Sequence, residues 1–521
     1  MSLVMVRSRL RLGTATGARF GLAELLQAAL MACAVAAILA FLGPAALRLS
    51  YPFPLQLTEP ATLEQVQRIL RGEPLYVAPT FQHVPMIYGP VYFYLSAGVA
   101  TIVGPTYLAL RLVSLLASVG LLACVTYLVH HETGSRAAAL ASAGLLAATY
   151  PLGETALDLG RVDALFAFLL VLGITLARTH PHTWGLLGAG VAIGLAALTK
   201  IPLGTVPVAA ALTVYLAVTV RVRSALFVLS ILLSVAIVLV ALRVQSGPWP
   251  TWYMWDLPGQ HAINDHGDLL GRFWFQDILP RFTFPLLLGP LFVLLRLAVG
   301  DRRTLVFYAL VGASMIGLSW AARSNSGGAT NVLLPTHVLV ALAFGLGLYA
   351  ILQQIRLGSL RVPGLPAYVL GLGILQFALL AYNPRLLVPY RSEEWAAERL
   401  SSSLVSLPGP LFAPDLDGYV QGSDKGEQPL LGAVEELTAG YGGKATAEGH
   451  AWEQELDTAL REQRFSHVVL DQPCCDLKDA LDRDGYVDSG PLFGPDDDYW
   501  RWTNGRTPSD LHVFVPRDSA R

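Results

Sequence analysis

The sequence is poor in charged residues. Only 14% of its 521 residues are Asp, Glu, Lys or Arg, against about 25% in soluble globular domains. Its hydrophobic share is 54%, above the about 45–50% of such domains. These values exclude an ordinary soluble enzyme, and the hydrophobic excess also excludes a disordered chain. Four cysteines are too few for a scaffold held together by disulfides.

The few charges are unevenly distributed along the chain. Residues 1–383 contain 23 Lys and Arg and 13 Asp and Glu, a net charge of +10, whereas residues 384–521 contain 13 and 25, a net charge of −12. Long apolar runs recur only in the first part. The sequence therefore predicts a basic N-terminus over 1–21, a membrane domain over 22–383 and an acidic, water-compatible domain over 384–521.

We expect about eleven helices to span the membrane, because each apolar run approaches the about 20 residues that a spanning helix needs and backbone groups in lipid must be satisfied within the segment. The predicted spans are 22–43, 108–129, 137–152, 162–178, 185–199, 202–220, 224–244, 283–299, 304–322, 332–355 and 366–382. A further apolar stretch, 87–104, begins with Tyr and Pro residues and is predicted to lie along the interface.

Basic residues define the expected orientation, since they concentrate in cytoplasmic loops. If 87–104 does not cross, the basic turns all fall on one side together with four arginines that precede the first span; these residues are Arg7, Arg9, Arg11, Arg19, Arg136, Arg178, Arg221, Arg223, Arg302, Arg303, Arg356 and Arg361. We therefore expect a multi-pass protein of a prokaryotic inner (plasma) membrane with a cytoplasmic N-terminus. The long outer loops are then 44–107 and 245–282.

The acidic part is predicted to be a small α/β domain. Helical periodicity covers 393–406 and 450–463, and 465–471 and 511–516 have the pattern of short strands. The predicted fold is thus a polytopic α-helical membrane protein with a small C-terminal extracytoplasmic α/β domain.

The first outer loop contains an acid at the start of a helix. Its sequence predicts an amphipathic helix over 61–71 that Gly72 ends, with Pro60 tolerated at the first position. Glu59 stands where the helix dipole favours a carboxylate. Its side chain is therefore either a capping acid or a general base held at the membrane surface.

Four elements along this loop and the next span form a recognisable series: Glu59, Gly72 to Tyr76, the motif Tyr88-Gly-Pro-Val-Tyr92 and Arg111. The series resembles the GT-C superfamily of polytopic glycosyltransferases, which use polyprenyl-phosphate sugars and include protein O-mannosyltransferases and the lipid A aminoarabinose transferase. A GT-C-like fold is what the resemblance implies.

The resemblance covers roughly residues 50–383 and departs from the family pattern at one acid. Relatives often carry an Asp-Glu pair in the first outer loop, where this sequence has Thr58-Glu59. The missing carboxylate weakens the case for a metal site built on two acids.

The resemblance also implies roles for residues of the later outer loops. The expected catalytic acids are Glu59 and Asp163. The residues expected to bind the donor phosphate are Lys200, Arg323, Arg161 and His261. Those expected to bind substrate are Tyr88, Tyr92, Trp252 and Asn331.

Each of these residues also has a structural interpretation. Arg161 and Asp163 could form an exposed ion pair worth only about 0–1 kcal/mol, and Lys200 could simply extend its charge to the interface. Aromatic residues such as Trp252 are common at membrane surfaces whatever the function. The Gly-rich segment 323–331 could be a plain polar turn, although its backbone N–H groups could also bind an anion.

The sequence predicts a glycosyltransferase that moves a sugar from a polyprenyl-phosphate carrier to a hydroxyl acceptor (a lipid, glycan or protein), with inversion. Its partners are then the carrier, the acceptor and the lipid bilayer, with no nucleic acid. No cofactor is required, because cationic side chains can stabilise a leaving phosphate.

A divalent cation such as Mg²⁺ or Mn²⁺ stays open as a cofactor. Five residues of the second outer loop are possible ligands, although their spacing fits no metal motif: His261, Asn264, Asp265, His266 and Asp268. Two other functions also stay open. A lipid or polysaccharide transporter or flippase would need polar residues within the spans, and the sequence has few. A non-catalytic scaffold with an outer binding domain would leave the charged residues of the outer loops unexplained.

Overall fold

The structure is a computed structural model that describes residues 21–263, 271–360, 362–438, 440, 443–471, 475–493 and 511–517, with residues 475 and 476 described by their backbone alone. Several residues singled out in the sequence lie outside the described residues: Arg7, Arg9, Arg11, Arg19, Asn264, Asp265, His266, Asp268 and Arg361.

Apolar sequence forms helices at all of the predicted spans. In chain order the helices of this part are α1 (Leu22–Arg48), α2 (Thr58–Leu70), α3 (Val91–Val103), α4 (Tyr107–Thr133), α5 (Arg136–Ala148), α6 (Val162–Thr179), α7 (Thr183–Ala197), α8 (Val206–Thr219), α9 (Ser224–Ser246), α10 (Leu279–Ala298), α11 (Arg302–Ser324), α12 (Leu334–Arg356) and α13 (Leu365–Leu379). Apart from α2 and α3, each coincides with a predicted span. Within the described residues, nine helical segments are long and apolar enough to cross a membrane, whereas α5 and α7 have only 13 and 15 residues.

Polar residues at the helix ends define where the helices begin and stop. Ser135 accepts a hydrogen bond from the Ala138 N–H at the start of α5, and Asp301 accepts one from the Thr304 N–H at the start of α11, each satisfying an N–H that lacks a partner within its helix. Gly134 ends α4 with a left-handed φ of 68°, a conformation that costs glycine little.

Short helical turns connect the long helices. Six are 3₁₀ turns: Tyr150–Gly153, Pro202–Thr205, Arg221–Arg223, Pro258–Gln260, Thr330–Leu333 and Pro384–Leu387. The described part of the second long loop also contains one α-helical and two π-helical turns: Trp249–Thr251, Trp252–Asp256 and Arg272–Ile278.

Successive helices alternate in direction, which sorts their ends into two groups. At one end, Arg178 near the end of α6 pairs with Glu132 near the end of α4 at 2.6 Å. At the other, Arg111 in the first turns of α4 contacts Glu59 at the start of α2. This second end also carries the C-terminal domain and is called the domain end below.

Helix α3 begins and ends at the domain end. Its 13 residues extend about 20 Å, and only three residues separate its last residue from α4. The Tyr92 hydroxyl donates to the backbone oxygen of Leu110 in α4 at 2.8 Å. A helix along the interface is expected to have this arrangement, and a helix that crosses is not.

In its described residues, the C-terminal domain combines five helices with a four-stranded sheet. The helices are α14 (Arg391–Ser406), α15 (Asp417–Val420), α16 (Leu431–Leu437), α17 (Ala447–Arg461) and α18 (Cys475–Arg483). The strands are β1 (Leu411–Phe412), β2 (His467–Asp471), β3 (Tyr486–Pro491) and β4 (Leu511–Pro516), in the order β1-β2-β4-β3. The pair β1–β2 is parallel and the other two are antiparallel. The expected fold class, a helical membrane protein with a small α/β domain, is confirmed.

The first long loop lies between the helix bundle and the C-terminal domain. Phe81 packs among three aromatic rings of the domain, Phe412, Trp452 and Phe465, with centroids 5.3–5.9 Å away. The Trp452 indole N–H also donates to the Phe81 backbone oxygen at 3.2 Å. The domain therefore covers the part of the loop around Phe81, and the loop is not exposed over its whole length.

Gly418 marks a close approach of the domain to the bundle. A Cβ atom at this position would lie 2.7 Å from the Tyr107 hydroxyl and 2.8 and 2.9 Å from the rings of Pro60 and Pro54. Only a residue without a side chain allows the backbone to come so near.

We predict that Phe81→Ala loosens the docking of the domain. Phe81 is partly buried, so the loss should be about 2–3 kcal/mol, below the about 3–5 kcal/mol of a fully buried Phe. A lower thermal midpoint in detergent and faster proteolysis of the loop would show it. The control is Trp395→Ala, which removes a ring that is 59% exposed; equal effects of the two changes would contradict the prediction.

Candidate functional site

A buried ion pair lies at the centre of the domain end. Arg111 donates to both carboxylate oxygens of Glu59, from Nε to Oε1 at 3.0 Å and from Nη2 to Oε2 at 2.7 Å. Both residues are fully buried. The two parallel bonds match the planar guanidinium to the planar carboxylate, the strongest geometry for such a pair.

Backbone groups satisfy the rest of the pair. Glu59 accepts hydrogen bonds from the N–H groups of Leu55 and Gly160, each at 2.7 Å, and Arg111 donates to the backbone oxygens of Arg48, Tyr51 and Phe53 at 2.6–3.1 Å. Several segments distant in sequence are thus joined through two side chains.

This environment bears on the expected role of Glu59 as a general base. Burial alone would raise the pKa of Glu59, but the charge and hydrogen bonds of Arg111 and the two backbone donors hold it below its ordinary value. Four donors already occupy the carboxylate, which no acceptor hydroxyl can approach. The geometry therefore favours a structural role for Glu59 over proton abstraction.

A second buried pair, which the sequence analysis did not identify, fixes the loop 149–161. Arg48 at the end of α1 lies 3.4 Å from Asp158 and also donates to the Tyr150 hydroxyl and to Thr155. The Tyr150 hydroxyl in turn donates to Asp158 at 2.7 Å. The signal in the sequence was a charged residue at the end of an apolar span, with no indication of its partner.

Four of the predicted site residues meet around Asp163, at the start of α6. Its Oδ1 accepts hydrogen bonds from Lys200 Nζ at 2.6 Å and from Asn331 Nδ2 at 2.9 Å, and its Oδ2 lies 3.2 Å from Arg161 Nε. These residues come from three separate connections of the bundle. We call Asp163, Lys200, Asn331 and Arg161 the Asp163 cluster.

Tyr88, a fifth predicted residue, lies against this cluster. Its hydroxyl is hydrogen-bonded to Arg161, and its pKa is raised to about 12, chiefly by burial and against the opposing charge of Arg161. The next residue, Gly89, donates its N–H to the Lys200 backbone oxygen at 3.1 Å. A Cβ on Gly89 would lie 2.1 Å from the Leu198 oxygen, so the glycine allows the motif to dock beside Lys200.

A second acid, Glu154, lies beside the Asp163 cluster, and the sequence analysis did not assign it to the site. Its Oε2 lies 3.5 Å from Arg161 Nη1, and its Oε1 accepts from the Thr330 N–H at 3.3 Å. Its side chain is 26% exposed, against 3% for Asp163. Both Glu154 and Thr155 have left-handed φ angles, 56° and 54°, and strained residues of this kind cluster at functional sites.

A pocket opens beside the cluster. Its polar wall consists of Asp163, Lys200 and Asn331, and the rest is apolar: Phe166, Ile201, Gly204, Leu318, Ala322, Val332, Leu334 and Pro335. Charged groups therefore stand at one side of a cavity whose other walls suit hydrocarbon.

Tyr92 does not face this pocket. It is fully buried, and its hydroxyl is engaged by the Leu110 oxygen and by Ser114 at 2.8 and 2.9 Å. The structure therefore contradicts a substrate contact for Tyr92, whose hydroxyl joins α3 to α4.

The remaining predicted residues have partners elsewhere. Arg323 binds Asp277 at 2.9 Å and the Gly328 backbone oxygen, and His261 pairs with Glu436 of the C-terminal domain. Trp252 packs against Trp249 and Tyr253 with centroids 5.4 and 4.8 Å away. No described contact brings Arg323, His261 or Trp252 to Asp163.

We predict that the Glu59–Arg111 pair stabilises the fold strongly. Glu59→Gln leaves a buried guanidinium without its counter-charge and should cost about 3–5 kcal/mol. The double variant Glu59→Leu/Arg111→Met should cost less, because it removes both charges. Chemical unfolding in detergent measures both.

The control is the exposed pair Arg71–Glu73 of the same loop, 44% and 36% exposed. Glu73→Gln should cost only about 0–1 kcal/mol. An equally small loss for Glu59→Gln would contradict the structural role of the buried pair.

The sequence was compared with protein families and with curated proteins. Residues 84–245 match the model of the dolichyl-phosphate-mannose-protein mannosyltransferase family. No curated protein sequence matches the chain.

Solved structures match over most of the chain. The apo structure of ArnT from Cupriavidus metallidurans aligns with a TM-score of 0.59 at 13% identity, covering 93% of this chain and 97% of ArnT. The same protein bound to undecaprenyl phosphate aligns with a TM-score of 0.53 at 12% identity and the same coverage. The oligosaccharyltransferase of Archaeoglobus fulgidus aligns with a TM-score of 0.54 at 13% identity, covering 85% of this chain and 68% of that one. The chain is therefore a polytopic membrane protein with the GT-C glycosyltransferase fold.

Proposed function

We propose that the chain is a glycosyltransferase that moves a sugar from a polyprenyl-phosphate carrier to a hydroxyl acceptor at the domain end. The observation that carries the proposal is the Asp163 cluster, in which Lys200 lines a largely apolar pocket and Arg161 pairs with the other carboxylate oxygen of Asp163. An amphiphile with an anionic head and a hydrocarbon tail matches that arrangement. Among the matches, ArnT was solved with undecaprenyl phosphate, which supports a carrier of this class.

Lys200 and Arg161 are the proposed phosphate ligands. Lys200 Nζ borders the pocket directly and is held by Asp163, so its position does not depend on the ligand. Cations positioned in advance stabilise charge as it develops on a leaving group without reorganising at that moment. Asp163 thereby acts as a positioning residue for both cations.

Glu154 is the proposed general base. Of the described acids in the loop 149–163 it is the most exposed, since Asp158 and Asp163 are almost fully buried. In the proposed step Glu154 takes the acceptor's hydroxyl proton as the oxygen bonds to the anomeric carbon. The bond from that carbon to the phosphate oxygen breaks, and its electron pair leaves with the phosphate toward Lys200 and Arg161. The configuration inverts.

In this proposal Glu59 supports the reaction by fixing the position of the backbone next to Arg161. Gly160, whose N–H Glu59 accepts, precedes Arg161 directly. The pair of Glu59 and Arg111 therefore sets the backbone from which Arg161 and Asp163 extend. This proposal replaces the role of general base that the sequence predicted for Glu59.

We propose that the domain end faces away from the cytoplasm. Basic residues occupy the turns at the opposite end, among them Arg136, Arg178, Arg221 and Arg302, and cytoplasmic loops are enriched in such residues. Acceptor and carrier would then meet in the outer leaflet, where the C-terminal domain covers the site.

The function is tested with purified protein and a panel of polyprenyl-phosphate sugars, assayed with and without Mg²⁺ or Mn²⁺. We expect transfer from one donor class, and Lys200→Met should lower kcat by at least about 10²-fold, the loss typical of removing one group that stabilises developing charge. Lys444→Met, at an exposed position of the domain, is the control. No transfer from any donor would contradict the proposal, and carrier movement across the bilayer without transfer would favour a flippase.

The base assignment is tested by Glu154→Gln. This change keeps the side chain's size, so carrier binding and the thermal midpoint should persist while kcat falls by about 10²–10⁴-fold. Glu455→Gln, an exposed acid of the C-terminal domain, is the matched control. An unchanged kcat for Glu154→Gln would overturn the assignment and return the role to another acid.

A further inference from the structure

Three potential metal ligands meet where the first long loop contacts the C-terminal domain. Glu64 comes from α2, His83 from the extended segment before α3 and Glu427 from the domain, between α15 and α16. One ligand atom of each lies within 4.8 Å of the other two. Three segments far apart in sequence thus place one nitrogen and two carboxylates around a common point.

His83 is buried here, and its ring has a nitrogen without a hydrogen-bond partner among the described residues. It is 4% exposed, and its Nε2 has no hydrogen-bond partner among the described residues, while its Nδ1 faces the Glu64 carboxylate. Glu64 is 8% exposed, and its Oε1 likewise has no hydrogen-bond partner among them. Buried polar atoms are normally paired, so unpaired ones indicate a missing ion or water.

The two carboxylates of the site lie against each other. Glu64, which is 8% exposed, is hydrogen-bonded to the side chain of Glu427. Two carboxylates and an imidazole in one largely buried place are a ligand set that a divalent cation would complete.

The charged residues next to the site are compatible with a bound cation. Arg71 lies 3.5 Å from Glu427 but is 44% exposed and also pairs with Glu73, so its guanidinium can turn to solvent. Asp417 lies near the two carboxylates, and burial raises its pKa to about 7. Arg68 also acts on Glu64 and His83, but it is only 14% exposed and pairs with Glu73 at 3.2 Å. The carboxylates around the site therefore outnumber its two guanidinium groups.

We propose that Glu64, His83 and Glu427 bind a Zn²⁺-class divalent cation that fastens the C-terminal domain to the first long loop. Imidazole nitrogen and carboxylate oxygens are regular Zn²⁺ ligands, and three protein ligands leave one tetrahedral position for water. Since the ligands belong to both parts of the interface, metal binding stabilises their docking. This site is distinct from the Asp163 cluster, and the proposal does not depend on the proposed reaction.

The test uses the full-length protein, stripped with EDTA, reloaded with Zn²⁺ and desalted. We expect one Zn²⁺ per chain by mass spectrometry, with a higher thermal midpoint than the stripped protein. His83→Gln and Glu64→Gln should each weaken Zn²⁺ binding by at least about tenfold. Loss of a residue that only orients a metal ligand already has an effect of this size, so loss of a ligand should have at least the same effect. Absence of stoichiometric Zn²⁺ from the wild-type protein would overturn the proposal.

Two control variants locate the ion. His450→Gln removes a histidine of the domain that pairs with Glu453 but is 62% exposed, and it should leave Zn²⁺ binding unchanged. His261→Gln breaks the other His–Glu contact between a loop and the domain and should also retain the ion. Loss of Zn²⁺ in His261→Gln with retention in His83→Gln would place the site elsewhere and overturn the proposal.

A measurement on the wild-type protein covers the case in which a variant does not fold. Co²⁺ substituted for Zn²⁺ should give the visible absorption of a site with nitrogen and oxygen ligands. A thiolate-to-metal charge-transfer band would instead assign the ion to cysteine and contradict the site.

Discussion

The bidentate pair of Glu59 and Arg111 is the interaction on which the arrangement of the domain end depends. Isolated in a low-dielectric interior, either charge would be prohibitively costly, and pairing alone often only offsets the cost of desolvation. Here five backbone groups complete the pair: two N–H groups donate to the carboxylate and three carbonyls accept from the guanidinium. Because those groups belong to the end of α1, the loop 51–55 and the loop before α6, one fully satisfied pair specifies how three connections lie on α4. Removing Glu59 would leave two N–H groups and the guanidinium without their partner, and removing Arg111 would leave the carboxylate and three carbonyls without theirs.

The cations of the proposed site follow from that constraint. Gly160 is held by Glu59, and Arg161 follows it directly; Asp163, two residues further on, contacts both Arg161 and Lys200. From the other side, Arg48 and Asp158 fix the same loop to α1. The loop therefore has two buried anchors, Asp158 and Gly160, and one partly exposed acid, Glu154, that precedes them in the chain. Rigid support of a few reactive groups is what positions a site to better than an ångström, and a residue far from the chemistry can affect the rate through it.

The sequence predicted the membrane part well because charge is scarce there. Each predicted span forms a helix, and a Lys or Asp at a helix end stands out enough to single out Asp163 and Lys200. Asn331 is indicated only by the family resemblance. What the sequence could not show was burial by distant segments. An amphipathic helix next to water predicts an exposed Glu59, but α2 lies beneath the C-terminal domain and Glu59 is enclosed. Glu154 is placed by a turn in which Glu154 and Thr155 have left-handed φ angles, and no glycine in the sequence marks these positions. Strand β1 has only two residues, too few to show an alternation of apolar and polar side chains.

The C-terminal domain closes the domain end from above by contacting both long loops. It holds the first through Phe81 and the Glu64–His83–Glu427 site, and the second through the contact of Glu436 with His261. A Cβ on Gly443 would lie 2.3 Å from the Gln260 oxygen, so the domain's backbone approaches the second loop closely as well. Under the proposed function, the carrier's hydrocarbon chain would lie along the apolar wall of the pocket. The acceptor would then come from the side of the domain, and the contacts between the domain and the two loops would control which acceptors reach Glu154.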